Sequence, residues 1–380
     1  VAALDWLTEA ARLRSERGVH RTLRPRPARP GDDGPVIDLA SNDYLGLSRH
    51  PEVVDAACAA VNRWGAGATG SRLVTGTTTL HEELEDDLAR FVGAESALVF
   101  SSGYTANLGA VAALAGRDSV VLSDSASHAS LIDACRLSRA RIEVFDRTHL
   151  DAVEHSLRTR TEDRALVVTD SVFSTDGHLA PLRELHGLCR RYSAALLVDE
   201  AHGIGVRGSG GRGLVHELGL QGLPDVVVTA TLSKSLASQG GVVLGTHAVR
   251  DHLIDVARPF VFDTGLAPAA AGAARAALAI LQREPERAAD VRRRAHQLAD
   301  IAGVERSESA VVSVVLGDPQ RAYDAAQDAF RRGVHVGCFR PPSVPEGTSR
   351  LRLTARANLT DSELAAVANV LDSVLHRAAV

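Results

Sequence analysis

The chain has 380 residues, 45% of them hydrophobic and 23% charged, with a net charge of −5; this is the profile of an ordinary folded protein and excludes a disordered chain. The length exceeds one typical domain, so a large domain with a smaller companion is expected. The acidic balance argues against a nucleic-acid or anionic-membrane surface, although the basic arm "RTLRPRPARP" at 21–30 offers local charge to a phosphorylated ligand.

In chain order, the opening "VAALDWLTEAARLRSERG" mixes acids and bases at helical spacing, without the basic-then-apolar order of a signal peptide. From about residue 52, helix-like and strand-like stretches alternate. "HEELEDDLARFV", capped by the threonines before it, feeds the short apolar run "SALVF". The same rhythm predicts strands at "SVVLSD", "RIEVF", "ALVVTD", "AALLVDE", "DVVVTA" and "GGVVLG", with helices such as 127–137 and "LRELHGLCRRY" between them. Apolar runs separated by helices predict a mostly parallel sheet buried on both faces. "LAPAAAGAARAALAIL" is too short to span a membrane and is interrupted by Pro268 and Arg275. Beyond about 275 come a long helix, the strand "AVVSVVLG", the helix "RAYDAAQDAFRRG", the strand "RLRLT" and a last helix, which read as a small α/β domain. Pro- and Gly-rich stretches at 25–35 and 341–347 mark loops. The expected organisation is an N-terminal helix and arm over 1–45, a large α/β domain over 46–275 and a small α/β domain over 276–380. Cys58, Cys135, Cys189 and Cys338 show no CxxC spacing and lie in apolar or mixed segments, which predicts reduced, buried thiols and a cytoplasmic location.

One residue type stands apart: of forty-two basic residues, Lys234 in "TLSKSLAS" is the only lysine. A guanidinium stays protonated, whereas a partly buried amine loses its proton and can form a Schiff base, so a single retained lysine points to amine chemistry. In an open α/β sheet, ligands bind beyond the carboxyl ends of the strands. There "AALLVDEAH" ends in Asp199 and His202, "ALVVTDSVFS" in Asp170 and Ser174, "DVVVTATLSK" in Thr231 and Lys234, and "SVVLSDSASH" in His128. Ser101, Ser102 and Gly103 lead into a helix whose free N–H groups would attract a phosphate. Singly, each acid reads as a cap and each histidine as a satisfied interior group. Together, an amine, a carboxylate, two imidazoles and an anion site are the parts of a pyridoxal-phosphate enzyme, in which lysine takes the aldehyde and a carboxylate keeps the ring nitrogen protonated. "GSGGRG" at 208–213 satisfies GxGxxG but follows a loop, and no acidic residue closes a strand about twenty positions on. "VDEAH" is like an ATPase acidic box, yet a chain whose one lysine is Lys234 has no GxxxxGK[ST] loop. A hydrolytic metal site built from Asp199, His202 and His128 stays open as an alternative.

Over nearly its whole length the sequence resembles the α-oxoamine synthase family of fold-type I pyridoxal-phosphate enzymes, through "SNDYLGLSRHP", "GAGATGSRLVTGTTTLHEELE", "FSSGYTAN", "DSASHASLIDA", "DSVFSTDGHLAPL", "VDEAHGIGVRG", "TLSKSLASQGG" and "FRPPSVPEGTSRLRLT". The resemblance implies that Lys234 binds the aldehyde of pyridoxal 5'-phosphate, Asp199 pairs with the ring nitrogen, His128 stacks on the ring and His202 bonds its phenolic oxygen. Gly103, Tyr104, Ser174 and Thr231 would hold the cofactor, Arg350 with Thr348 beside it would clamp the amino acid carboxylate, and Arg24 would contact substrate from an arm that also carries Arg21, Arg26 and Arg29. The implied reaction condenses L-alanine with a pimeloyl thioester, on coenzyme A or acyl carrier protein, with loss of carbon dioxide; a synthase using glycine is the alternative within the class. The resemblance also implies a homodimer with interfacial active sites, Thr264 reaching the phosphate bound by the other subunit.

Overall fold

The computed structural model describes residues 2–26 and 36–379, the side chains of 376–379 excepted; Arg29 and most of the loop expected at 25–35 lie outside the described residues. In chain order the elements are α1 (Trp6–Glu16), β1 (Ile37–Leu39), α2 (Pro51–Trp64), α3 (Thr79–Val92), β2 (Ser96–Phe100), α4 (Gly103–Leu114), β3 (Ser119–Asp124), α5 (Ala129–Ser138), β4 (Arg141–Phe145), α6 (Leu150–Thr159), β5 (Arg164–Asp170), α7 (Leu182–Arg191) and β6 (Ala195–Asp199). There follow α8 (Leu214–Glu217), β7 (Val226–Thr231), β8 (Gly241–Gly245), α9 (His247–Val256), α10 (Arg258–Val261), α11 (Pro268–Arg283), α12 (Arg287–Ala302), β9 (Val311–Gly317), α13 (Pro319–Arg331), β10 (Val334–Phe339), β11 (Ser349–Thr354) and α14 (Asp361–Ala379). Contacts divide the chain into two units, one of residues 42–174 and 178–291, the other of 1–41, 175–177 and 292–380. The boundaries expected at 45/46 and 275/276 follow the pattern of elements, whereas this division follows contacts.

In the larger unit the described strands form one sheet in the order β2-β8-β7-β6-β5-β3-β4. β7, β6, β5, β3 and β4 run parallel, and β8 is antiparallel to both β7 and β2. The alternation of side chains decides which face each residue covers. Leu122, Val167, Leu196 and Val198 pack with Val153, Leu157, Leu182 and Leu185 of α6 and α7. Val121, Leu166, Val168 and Leu197 pack with Ala106, Ala110 and Leu131 of α4 and α5 on the opposite face. Such burial contributes roughly 1.5–3 kcal/mol for each large aliphatic side chain. β4 departs from the expectation of burial on both faces: it is one of the two edge strands, and Val144 is 68% exposed. The threonines before α3 cap it as expected, Thr78 forming a capping box with His81, and Gly93 ends the helix in the left-handed region at φ 81°.

In the smaller unit the strand order is β1-β10-β11-β9, with β1 parallel to β10 and the remaining pairs antiparallel. β1 and β10 were not expected, because one has three residues and the other, "VHVGCF", alternates partly buried positions and contains a glycine. The long helix expected beyond 275 is two helices: Pro285 has no N–H to donate and holds Glu284 out of the helical region at φ −126°, ψ 61°. The four cysteines are unpaired, but only Cys135 and Cys189 are buried. Cys58 is exposed because α2 buries a narrow stripe through Val53 and Ala60 that does not include it. Among the described residues no helix is long and apolar enough to cross a membrane.

Candidate active site

Parallel register makes the carboxyl ends of β5, β6 and β7 neighbours, pairing Asp170 with Asp199 and Asp199 with Thr229. Three chain segments distant in sequence therefore deliver their polar ends to one edge. β6 stops at Asp199 and turns, so Asp199 Oδ1 accepts the N–H of Ala201 at 2.8 Å and His202 follows on the same turn. Beyond β7, the Nζ of Lys234 lies 2.8 Å from Nε2 of His202. Nδ1 of His202 lies 2.5 Å from the hydroxyl of buried Tyr44, whose O–H reaches Asn42 Oδ1 at 3.2 Å. Donation runs in one consistent direction, from the lysine ammonium to Nε2, from Nδ1–H to the tyrosine and from the tyrosine to the amide.

Asp199 is 4% exposed, and its Oδ2 accepts from Asn107 Nδ2 at 2.7 Å. His128 is the N-cap of α5: its backbone N–H donates to Asp170 Oδ2 at 2.8 Å, and its Nδ1 lies 2.8 Å from Ser130 Oγ. Burial pushes the Asp170 carboxyl well above the usual carboxylate range, with the charge on Asp199 adding to it. Desolvation holds His128 below the ordinary histidine value; Asp199 opposes this and Lys234 reinforces it. The acidic and imidazole groups considered for a metal are thus each committed to another partner, and among the described residues no group of three or more His, Cys, Asp or Glu is arranged to hold an ion.

The last glycine of the "GSGGRG" stretch lies against Glu200, which accepts the N–H of Val215 at 2.6 Å and the hydroxyl of Ser171 at 2.7 Å. Gly213 sits at φ 101°, and a Cβ there would come within 2.9 Å of the Glu200 carboxylate. Burial pushes Glu200 up to about 7.

At the start of α4, Ser102 is the N-cap and accepts the N–H of Thr105 at 3.1 Å, leaving the first N–H groups of the helix aimed outward. Gly103 lies against Thr231, where a Cβ would stand 3.1 Å from the threonine Cβ. Thr231 Oγ1 bonds Ser233 Oγ at 2.7 Å and donates to the carbonyl of Gly240 at 3.1 Å. Tyr104 is 43% exposed and its hydroxyl donates to Asp133 Oδ2 at 2.5 Å, so its side chain is tied to α5. Ser174 is half-buried in the turn after β5. Thr264 is exposed on an extended segment bridged to Ser71, with its N–H on Asp263 Oδ1 at 2.8 Å. Asp263 in turn accepts a short hydrogen bond from Ser101.

The other candidates belong to the smaller unit. Arg350 on β11 is half-buried, donates to the carbonyl of Thr348 at 2.9 Å and lies 3.4 Å from Ser313 Oγ. Burial holds its guanidinium below the ordinary arginine value, opposed by the charge on Asp176. Thr348 donates its hydroxyl to the carbonyl of Pro345 at 2.8 Å. Arg24 lies over the ring of Phe330, 4.0 Å from its centroid, and donates to Gln327 Oε1 at 2.6 Å. With Arg21, Arg340 and Tyr323 it lines a cleft of about 450 Å3.

Reading the sequence missed Tyr44, Asn107, Glu200 and Arg340. Asn107 had a visible signal, being the one side-chain amide in "GYTANLGAVAAL", and it is 2% exposed.

The chain matches the family "Aminotransferase class I and II" over residues 34–371. The 8-amino-7-oxononanoate synthase of Mycolicibacterium gilvum is 64% identical over 379 residues, covering 100% of this chain and 99% of that protein. A high-resolution structure of SPT with PLP internal aldimine superposes with a TM-score of 0.91 at 30% identity, covering 99% of this chain and 98% of that one. A solved 8-amino-7-oxononanoate synthase from Francisella tularensis does so with a TM-score of 0.77 at 26% identity, covering 92% of this chain and all of the other. The chain therefore belongs to the class I and II aminotransferase family and has the fold-type I architecture expected from its sequence.

Proposed function

We propose that the protein condenses L-alanine with a pimeloyl thioester, carried on coenzyme A or acyl carrier protein, to give 8-amino-7-oxononanoate, carbon dioxide and free thiol, a step of biotin biosynthesis that uses pyridoxal 5'-phosphate. The observation that carries this reading is the only lysine of the chain, its Nζ 2.8 Å from His202 in a strand-end cluster with Asp199. Relatives at 62–64% identity over the whole chain bear the name of that synthase. A cytoplasmic location belongs to the same reading and is supported by the four unpaired cysteines.

The residues present fit the cofactor. A helix N-terminus with outward N–H groups suits a phosphate, and Gly103, which has no Cβ to crowd Thr231, leaves room beside it. Asp199 offers a buried acceptor to a ring N–H, and Lys234 an amine to an aldehyde. When bound, pyridoxal phosphate supplies an electron sink for charge on the amino acid α-carbon. Lys234 would hold the cofactor by its aldehyde through Nζ, and the same Nζ would move the proton of the amino acid α-carbon. His202 accepts from that amine at Nε2 while Tyr44 fixes its other nitrogen. His128, held by Asp170 at its backbone N–H and by Ser130 at Nδ1, would stack on the cofactor ring. Arg350 would hold the alanine carboxylate by paired N–H donors, and Arg24 would contact substrate. The test is to incubate purified protein and pyridoxal phosphate with pimeloyl thioester on either carrier and with L-alanine or glycine. The reading expects thiol release with alanine and a product of the mass of 8-amino-7-oxononanoate. No thiol release with either carrier overturns it.

Arg350→Ala is expected to weaken alanine binding by roughly 1.5–3 kcal/mol, the range for a lost charge-assisted hydrogen bond, with cofactor affinity little changed. Spectral titration with alanine measures both. An unchanged alanine dissociation constant moves the carboxylate clamp to another residue.

A homodimer is also part of the proposal, supported by the exposed apolar side chains of Leu73 (52%), Val74 (78%) and Phe262 (69%) on the two segments that the Ser71–Thr264 bridge ties together. The bond from Ser101 to Asp263 favours a second reading, in which Thr264 serves its own subunit. Refolding Lys234→Ala with Thr264→Glu in equal amounts separates the two. If Thr264 acts across a two-fold interface, about half the dimers are mixed and carry one intact site, so roughly a quarter of wild-type activity returns. If it serves its own subunit, activity stays near zero.

A further inference from the structure

Asn107 sits where three elements meet, 2% exposed, and its side-chain amide makes three hydrogen bonds. Nδ2 donates to Asp199 Oδ2 at 2.7 Å and to Ser130 Oγ at 2.8 Å, and Oδ1 accepts from Thr229 Oγ1 at 2.5 Å. An ionised carboxylate only accepts, so the amide edge facing Asp199 must be the NH2 and the edge facing β7 must be the carbonyl, which obliges the Thr229 hydroxyl to donate. Ser130 Oγ, already accepting from Asn107, has its own proton free for His128 Nδ1 at 2.8 Å, and the N–H of Ser130 also donates to Nδ1 at 3.2 Å. The imidazole then carries its proton on Nε2. One buried amide thus links the carboxylate of β6 to the imidazole that caps α5.

We infer that Asn107 is a positioning residue, oriented by Thr229, that holds the Asp199 carboxylate in place as the acceptor for a cofactor ring N–H. The inference rests on the reading of Asp199 proposed above. A hydrophobic side chain in this place would leave three buried polar atoms, on Asp199, Ser130 and Thr229, each short of a partner. The effect on Asp199 is specific in a way that general loosening of the core is not, because only a cofactor with a ring nitrogen uses that carboxylate.

The experiment compares equilibrium dissociation constants for pyridoxal 5'-phosphate and its 1-deaza analogue, in which C–H replaces the ring nitrogen. Both attach through the same aldehyde and phosphate. In Asn107→Leu the preference for the parent cofactor over the analogue is expected to fall about tenfold, the scale of one hydrogen bond to a charged group. In Thr229→Val, which keeps the shape and removes only the hydroxyl that orients the amide, it is expected to fall about threefold, and this variant decides the matter if Asn107→Leu does not fold. Ser130→Ala leaves the Asn107–Asp199 bond in place and is expected to keep the preference. Equal weakening for both ligands in Asn107→Leu and Thr229→Val, or an equal loss of preference in Ser130→Ala, overturns the inference. Asp199→Asn runs alongside: if it loses the preference and Asn107→Leu does not, only the role of Asn107 fails. If Asp199→Asn keeps the preference, the reading of Asp199 fails and the inference falls with it.

Discussion

Lys234→Arg is expected to fold as the parent does and to lose turnover by at least about 10^4-fold, the upper end of what a positioned proton-transfer group contributes. Residue 234 is half-buried in the turn after β7, and arginine keeps a positive charge beside His202 Nε2, so packing and local electrostatics change little. What arginine removes is the amine. A guanidinium neither attaches to an aldehyde nor releases a proton near neutral pH. Absorbance in the visible range that borohydride bleaches should be present in the parent and absent in the variant, while circular dichroism stays the same. A variant that keeps both the bleachable band and a substantial share of turnover shows that the chemistry does not use this lysine.

Asp199→Asn is expected to bind cofactor and to lose about 10^2–10^3-fold in turnover, the scale of deleting one preorganised electrostatic partner. Each oxygen of Asp199 accepts a hydrogen bond, Oδ1 from Ala201 N–H and Oδ2 from Asn107 Nδ2. An amide has one acceptor edge, so whichever way it turns, its NH2 meets an N–H that is already donating. The variant therefore loses the negative charge and sets two donors against each other. The kinetic constants at saturating cofactor, with a thermal melt as a control on folding, test this. Turnover within a few-fold of the parent shows that another group keeps the ring nitrogen protonated.

The parallel core and the strand-end residues were legible in the sequence for local reasons. Apolar runs such as "ALVVTD" and "AALLVDE" end in acids because a strand buried on both faces can carry polar groups only where it leaves the sheet. Lys234 was legible because it is the one amine among guanidinium groups, and the rejection of "GSGGRG" as a nucleotide loop rested on its place after a loop. The break between α11 and α12 is also written locally, in Pro285, which keeps Glu284 out of the helical region. Nothing local marks Cys58 as exposed, since that depends on which stripe of α2 finds a partner.

The sequence by itself determined which chemical groups the protein has and which elements carry them: one amine, the acids at strand ends, a serine-glycine helix start and the apolar alternation that forms the sheet. Only the tertiary structure decided how those groups are held. Tyr44 meets His202 across 158 residues, Thr229 meets Asn107 across 122 and Asn107 meets Asp199 across 92. These bonds determine orientation and hydrogen-bond direction, and they exist because parallel strands separated by helices bring distant segments to the same edge of the sheet. Hydrophobic periodicity records which face of an element is buried, but it carries no record of which distant polar atom that face will meet.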